Sequence, residues 1–465
     1  MRQDRVSSHI QLAIISLREN VVRVAIKFRC VTSVLLLKAS QELHKMNEIV
    51  WIAIWSISFF IAKAEIKCQF EDDGGMMFHM CNATGVSDNI LRRGLVSDKR
   101  KTFHIILNQC NIVSIEQEAF YRLPALAILD LAENKIESLP IGVFDRITSL
   151  SRLNLSYNLL TELPLGIFNH NTDLSVLDLE GNRLHTLKPG LFDSLWRLYQ
   201  LDLSHNLFTG KEIVPELFER KRDISILTLS GNDMTEANFL SIMNNLNYLF
   251  LDGCSLKVVP KLATAANMKQ LRQLSLASNE IKSIDDATTF SKLIDVMKLN
   301  LSRNQIVFIH KDAFKNLRYL EEIDLRYNKL TTLPVDMFQN IPKLYELRLS
   351  YNLLTDIPLN AFFGTELKRL SFDNNNITHL HENFLMKIED AGLMLRIMHF
   401  GNNPWQCACL RELLREVKEM EVLYDNDSYD GEHPVCVTTK DFYCRRDAAA
   451  HEQFIRMYNE NIRVR

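Results

Sequence analysis

Four of the nine cysteines lie close together near the C-terminus, Cys407, Cys409, Cys436 and Cys444, and two more, Cys68 and Cys81, precede the first repeated segment. Cysteines at this density can cross-link as disulfides in an oxidising compartment or hold zinc in a reducing one. Four cysteines admit three connectivities, and spacing alone leaves all three open. Their clustering at the two ends of the chain points to capping disulfides and hence to an oxidising compartment. Further metal or catalytic chemistry has no support. His379-x-His381 has no third ligand at sensible spacing, and G-x-S-x-G, H-E-x-x-H, Walker A and G-x-G-x-x-G elements are absent. The chain is expected to be no enzyme and to carry no cofactor and no metal. Sequons of the form N-x-S/T mark Asn82, Asn154, Asn300, Asn376 and Asn426 as candidate N-glycosylation sites.

A repeat must position these residues. The template L-x-L-x-x-N-x-L recurs, mostly every 24 residues, from LDLAENKI at 129–136 to LTLSGNDM at 227–234, and again from LSLASNEI at 274–281 to MHFGNNPW at 398–405. Cys110 and Cys254 occupy the asparagine position of two further copies, IILNQCNI and LFLDGCSL, which makes thirteen rungs. Side chains alternate along a strand, so the two leucines of L-x-L point inward and the residue between them points out. No single copy can bury its apolar face alone, so the copies stack in parallel, and thirteen rungs at roughly 4.8 Å each give an arc on the order of 60 Å. The asparagine carries both a donor and an acceptor for backbone groups buried where the chain turns. On the return side, Phe120, Phe144, Phe168, Phe192, Phe314, Phe338 and Phe362 are spaced to stack behind the strands as core. Cys110 and Cys254, six rungs and roughly 29 Å apart by strand spacing, are expected to be free, buried thiols.

These repeats resemble the extracellular leucine-rich-repeat family over roughly residues 68–444. The segment Asn403-Pro404-Trp405-Gln406-Cys407-Ala408-Cys409, followed by Cys436 and Cys444, looks like the four-cysteine C-terminal module of Slit, the Nogo receptor and platelet glycoprotein Ib. That resemblance implies the pairs Cys407–Cys436 and Cys409–Cys444. Cys68 and Cys81 resemble a shortened form of the family's N-terminal hairpin cap and are paired on that ground. The implied fold is an α/β, right-handed curved solenoid with a parallel β-sheet on its concave face and disulfide-bonded ends. Its divisions are an N-terminal cap at 65–100, repeats at 101–403, a cysteine-rich cap at 404–444 and a short tail at 445–465.

Ahead of the cap, Ile49 to Ala62 is a 14-residue apolar run followed by Ala62-Lys63-Ala64, the small-x-small form of a signal-peptidase site. Residues 46–64 are read as a signal peptide, Glu65 as the first mature residue and 1–45 as an extension of the gene model. Residues 1–45 carry eight Lys/Arg against three Asp/Glu, and the alternative is that they are translated and make the apolar run an uncleaved anchor. No apolar run long enough for a membrane helix follows Cys444. A net charge of -3 favours neither nucleic acid nor an anionic membrane.

The partner expected on the concave face is therefore another protein. Its central outward column is acidic early, at Asp130, Asp178 and Asp202, and gains Lys298, Arg303, Arg326, Arg348 and Arg369 from this and neighbouring columns later, so a dipolar face is expected. The alternative is that Asp in L-D-L-S merely solvates the strand. In the irregular middle rungs Ile226, Tyr248 and Phe250 point outward, an apolar group a solvated strand does not need. With Asp178 and Asp202 they are the candidate partner-binding residues. The resemblance extends to secreted insect immune leucine-rich proteins and to the large subunit of carboxypeptidase N, which implies a secreted, non-catalytic binding scaffold. The alternative is the ectodomain of an adhesion or Toll-like receptor that continues past Arg465.

Overall fold

The chain divides into Met1–Glu65 and Ile66–Arg465, and the computed structural model describes residues 67–73, 76–82, 89–96, 99–220, 223–260, 268–424, 435–440 and 442–461. The readings of 1–45 and 46–64, and the sequon at Asn426, fall outside the described residues.

Fifteen strands form one sheet. It opens with an antiparallel hairpin, Lys67–Asp73 against Met76–Asn82, whose register sets Cys68 opposite Cys81. Thirteen parallel strands follow, from Thr102–Ile106 to Ile397–His399, one for each predicted rung. Most are three residues long and bury only the central leucine, as in Val176–Asp178, where Leu177 is fully buried between half-buried neighbours. The second leucine of each L-x-L follows the strand inward. Because every rung repeats this pattern, the buried leucines merge into one continuous core.

The asparagine ladder works as its chemistry predicts. Asn134 Nδ2 donates to the carbonyls of Leu107 (2.8 Å) and Leu131 (2.9 Å), while its Oδ1 accepts from the backbone N–H of Cys110 and Ile112 (both 3.0 Å). One side chain thus ties a rung to its predecessor. Cys110 and Cys254 fill the same position, buried and outside any disulfide. Their own N–H groups are taken by the asparagines of the next rung, Asn134 and Asn279. Burial pushes the Cys254 thiol up to about 12, so it stays protonated.

Behind the sheet the phenylalanines stack ring on ring, with centroids 6.2 Å apart for Phe120–Phe144, Phe144–Phe168 and Phe314–Phe338. The spine also includes Phe218, Phe239 and Phe290, which the sequence pattern does not reveal. In the irregular stretch, short 3-10 turns at Pro215–Leu217 and Phe239–Ile242 take up the extra residues and return these rings to the stack.

At the C-terminal end α1 (Phe384–Asp390) leads into the last strand, and α2 (Cys407–Glu419) carries the first two cap cysteines. The disulfides are Cys407–Cys436 and Cys409–Cys444, the pairs the resemblance implied. Trp405 is buried, donating from its indole nitrogen to the Phe400 carbonyl at 2.9 Å. Within the segment read as a short tail, α3 spans Ala448–Asn461. Ala450 and Phe454 bury one face of α3 against Val437. Among the described residues no helix is long and apolar enough to cross a membrane.

Candidate functional site

The outward face of the sheet is built by what ends each strand. At the central column an Asp or Asn oxygen accepts the backbone N–H two residues on: Asp130 from Ala132 and Asn154 from Ser156 (both 3.0 Å), Asp178 from Glu180 (3.0 Å), Asp202 from Ser204 (2.9 Å), Asn300 from Ser302 (3.1 Å) and Asp324 from Arg326 (3.0 Å). This local acceptor satisfies an N–H that leaves the ladder as the chain turns. The recurring Asp of L-D-L-S is therefore a strand terminator first, and only its second oxygen is available for a partner.

In the early half the carboxylates crowd together. Asp178, Glu180 and Asp202 bring one carboxylate oxygen each within 4.8 Å of one another. Burial, reinforced by the charges of Asp202, Glu180 and Asp130, pushes the Asp178 carboxyl up to about 6. Burial raises Asp202 as well. Tyr157 donates its hydroxyl to Glu180 Oε1 at 2.7 Å, which holds the phenol proton and pushes Tyr157 up to about 12. His205 Nε2 lies 3.9 Å from the same oxygen. Both rings lie flat over glycines of the next rung. A Cβ at Gly181 (φ +67) would stand 2.6 Å from Tyr157, and one at Gly231 (φ +73) 2.3 Å from His205. Glycine at these turns thus admits the two rings that flank Glu180.

Next come the apolar candidates. The parallel register is unbroken here, with Ile226 beside Tyr248 and Thr228 beside Phe250. Leu227 and Leu249 remain fully buried, so Ile226, Tyr248 and Phe250 keep the outward side, where they are half-buried. Register places all five candidates on one side of four successive strands.

The late half differs from the dipolar expectation. Arg326 chelates Asp324 (Nη2–Oδ2 2.6 Å), Arg348 pairs with Glu346 (2.7 Å), Arg369 also reaches Glu346 (3.5 Å) and Lys298 pairs with Glu322 (2.7 Å). The Arg303 guanidinium lies 4.3 Å above the Tyr327 ring, which stacks on Tyr351 at 4.2 Å. Sequence reasoning counted the cations and missed Glu322 and Glu346, which sit two positions before the column it followed. The late half is not the positive pole expected, because each of these bases has a carboxylate or ring partner. Arg326, Glu346, Arg348, Arg369 and His399 line an open depression of about 470 Å³.

Of the sequons, Asn154 and Asn300 stand on the sheet face in the column itself. Asn376 lies in the turn after Asn375, and Asn82 ends the N-terminal hairpin.

Stacked parallel strands, an asparagine ladder, a phenylalanine spine and a disulfide-bonded end define a leucine-rich-repeat β-solenoid with a disulfide-bonded C-terminal region. The leucine-rich-repeat family model matches residues 103–160, 148–208 and 294–354. No curated protein matches the chain. A leucine-rich-repeat protein of Leptospira interrogans is similar in structure, at 24% identity over 70% of this chain and 84% of that one, with a TM-score of 0.57. Drosophila Toll, solved in complex with Spatzle, matches at 22% identity over 73% of this chain and 45% of that one, with a TM-score of 0.51. A plant peptide hormone receptor bound to its peptide matches at 22% identity over 72% and 52%, with a TM-score of 0.50. At these identities the likeness shows the fold.

Proposed function

We propose that the chain is a secreted, non-catalytic binding protein that captures another protein on the outward, concave face of its sheet, across the rungs from Val176 to Ser275. The observation that carries this is the half-buried group Ile226, Tyr248 and Phe250, held outward by an unbroken parallel register. Large apolar side chains in that position offer anchors that a merely solvated strand has no use for. Asn154 and Asn300 flank this stretch, roughly 29 Å apart by strand spacing, so glycans on both would leave the window between them open. Two disulfides in the C-terminal cap suit an oxidising, extracellular setting. Toll and the plant receptor, each solved with a bound protein or peptide, are precedents for the fold as a recognition surface.

The test is chemical cross-linking of the protein in its native medium, comparing wild type with Tyr248→Ala/Phe250→Ala. Loss of one defined cross-linked partner in the variant, with an unchanged thermal melt, is the expected result. An unchanged partner profile removes the patch from the binding surface. Terminal mass spectrometry of the same sample separates the secreted reading, with Glu65 first, from a membrane-bound product continuing past Arg465.

A further inference from the structure

We propose that Asp178, Glu180 and Asp202, with the Ser204 hydroxyl, bind a hard divalent cation, calcium at extracellular concentration, on the sheet face. One oxygen from each carboxylate already lies within 4.8 Å of the others. Calcium takes six to eight oxygen ligands at flexible geometry, so three carboxylates and a hydroxyl leave room for waters or a partner's carbonyl.

The independent sign of a missing ligand is Ser204. Its side chain is 3% exposed, and its Oγ makes no hydrogen bond of proper geometry. The Ser204 backbone N–H donates to Asp202 Oδ1 at 2.9 Å, so the hydroxyl sits beside the cluster. A buried hydroxyl without a partner is uncommon, because its lost hydration goes uncompensated. A cation beside Asp202 would engage its free lone pairs.

The carboxylates are also held in place. Asp178 and Asp202 are each anchored through Oδ1 by the backbone N–H two residues on, and Glu180 through Oε1 by Tyr157. Each of these hydrogen bonds occupies one oxygen of its carboxylate and leaves the other without a hydrogen-bond donor among the described residues. Among the described residues no lysine or arginine pairs with any of the three, and the nearest basic group is His205. In the late half of the same sheet, by contrast, Glu322, Asp324 and Glu346 each pair with a lysine or arginine. An all-oxygen set favours calcium over zinc or copper, which take nitrogen and sulfur.

The experiment is calorimetric titration of the full secreted chain with calcium chloride at pH 7.4 after chelation. Terbium luminescence excited through Tyr157 is a parallel readout. The expected result is one site with Kd of about 10⁻⁴ to 10⁻³ M, weakened at least tenfold in Asp178→Asn/Glu180→Gln and unchanged in Asp130→Asn. Those substitutions keep the hydrogen-bond acceptors, and Asn154 and Asn300 show that asparagine fits the column. If the double variant melts early, Asp178→Asn alone carries the comparison. No saturable heat or luminescence at millimolar calcium overturns the proposal. So does equal binding by a folded variant, or binding of zinc alone that is lost in His205→Ala.

Discussion

The two halves of the sheet face use the same carboxylates in opposite ways. Around Asp324 and Glu346, each acid meets an arginine within about hydrogen-bond distance, and the pairs form a network across three rungs. Around Asp178 and Asp202 the acids meet one another, Tyr157 and His205 but, among the described residues, no arginine or lysine, and burial raises both carboxyls. Identical strand geometry thus supports a neutralised surface and a charged one, decided by the residue two positions before or two after the central column. The lesson is that the backbone repeat sets where charges stand, while their partners decide whether that charge remains for something else to bind.

The contrast breaks most visibly by removing a partner from the late half. Asp324→Ala leaves Arg326 and Arg348 without their shared acid and the Arg326 N–H without its acceptor, and is expected to lower stability by about 2–3 kcal/mol in urea unfolding. A loss under about 0.5 kcal/mol would mean that solvent already screens the network. Next in size is recognition. Tyr248→Ala/Phe250→Ala should weaken partner capture about tenfold, or about 1.4 kcal/mol, without the stability loss of Asp324→Ala.

A third test uses pH and a region outside both halves. Thr378 Oγ1 is shared by His379 Nδ1 (2.9 Å) and His451 Nδ1 (2.8 Å), which docks α3 onto the last turns. Burial holds both imidazoles below their ordinary value; Asp356 pulls the other way for both, while Arg446 adds to the lowering of His379. Asp447 and Glu452 also oppose the lowering, at His379 and His451 respectively. The undocked histidines therefore bind more protons, so docking is fully stable above about pH 6.5 and weakens as pH falls below it. Hydrogen exchange in Ala448–Asn461 should be faster at pH 5.5 than at 7.5; equal rates would mean that the imidazoles do not hold the helix. Asp178 moves the other way, since protonation on falling through about 6 relieves repulsion. A local probe is needed because a global melt mixes the two. The smallest effect belongs to the early half. With chelator present, Asp178→Asn should raise stability, by up to about 1 kcal/mol after solvent screening, whereas any decrease would show that its charge is already compensated.

Much of the fold is legible in the residue pattern because its period is short and each position has one physical task. L-x-L predicts the buried pair, and the amide predicts the ladder. Phe218, Phe239 and Phe290 escape because the chain reaches the spine there by turns of irregular length, and only packing restores the register. The helix after Cys444 was readable: Ala450, Phe454, Met457 and Tyr458 follow helical spacing, and they are the face that packs. The candidate site is harder. Column counting finds Asp178 and Asp202 but not Glu180 or Ser204, whose closeness depends on how the strand ends. It also treats Arg326 and Arg348 as free cations, because a salt bridge between neighbouring columns leaves no mark in a one-column reading.

One consequence of the strand-ending acceptor reaches beyond stability. Asp and Asn serve it equally, so each rung can exchange a negative charge for a neutral amide without disturbing the turn. Where the second leucine is followed by serine, as at Asn154 and Asn300, that amide also completes an N-x-S sequon. Asp202-Leu203-Ser204 is a single substitution from the same state. The face is thus writable rung by rung in a three-letter alphabet of charge, amide and sequon, on a scaffold that need not change.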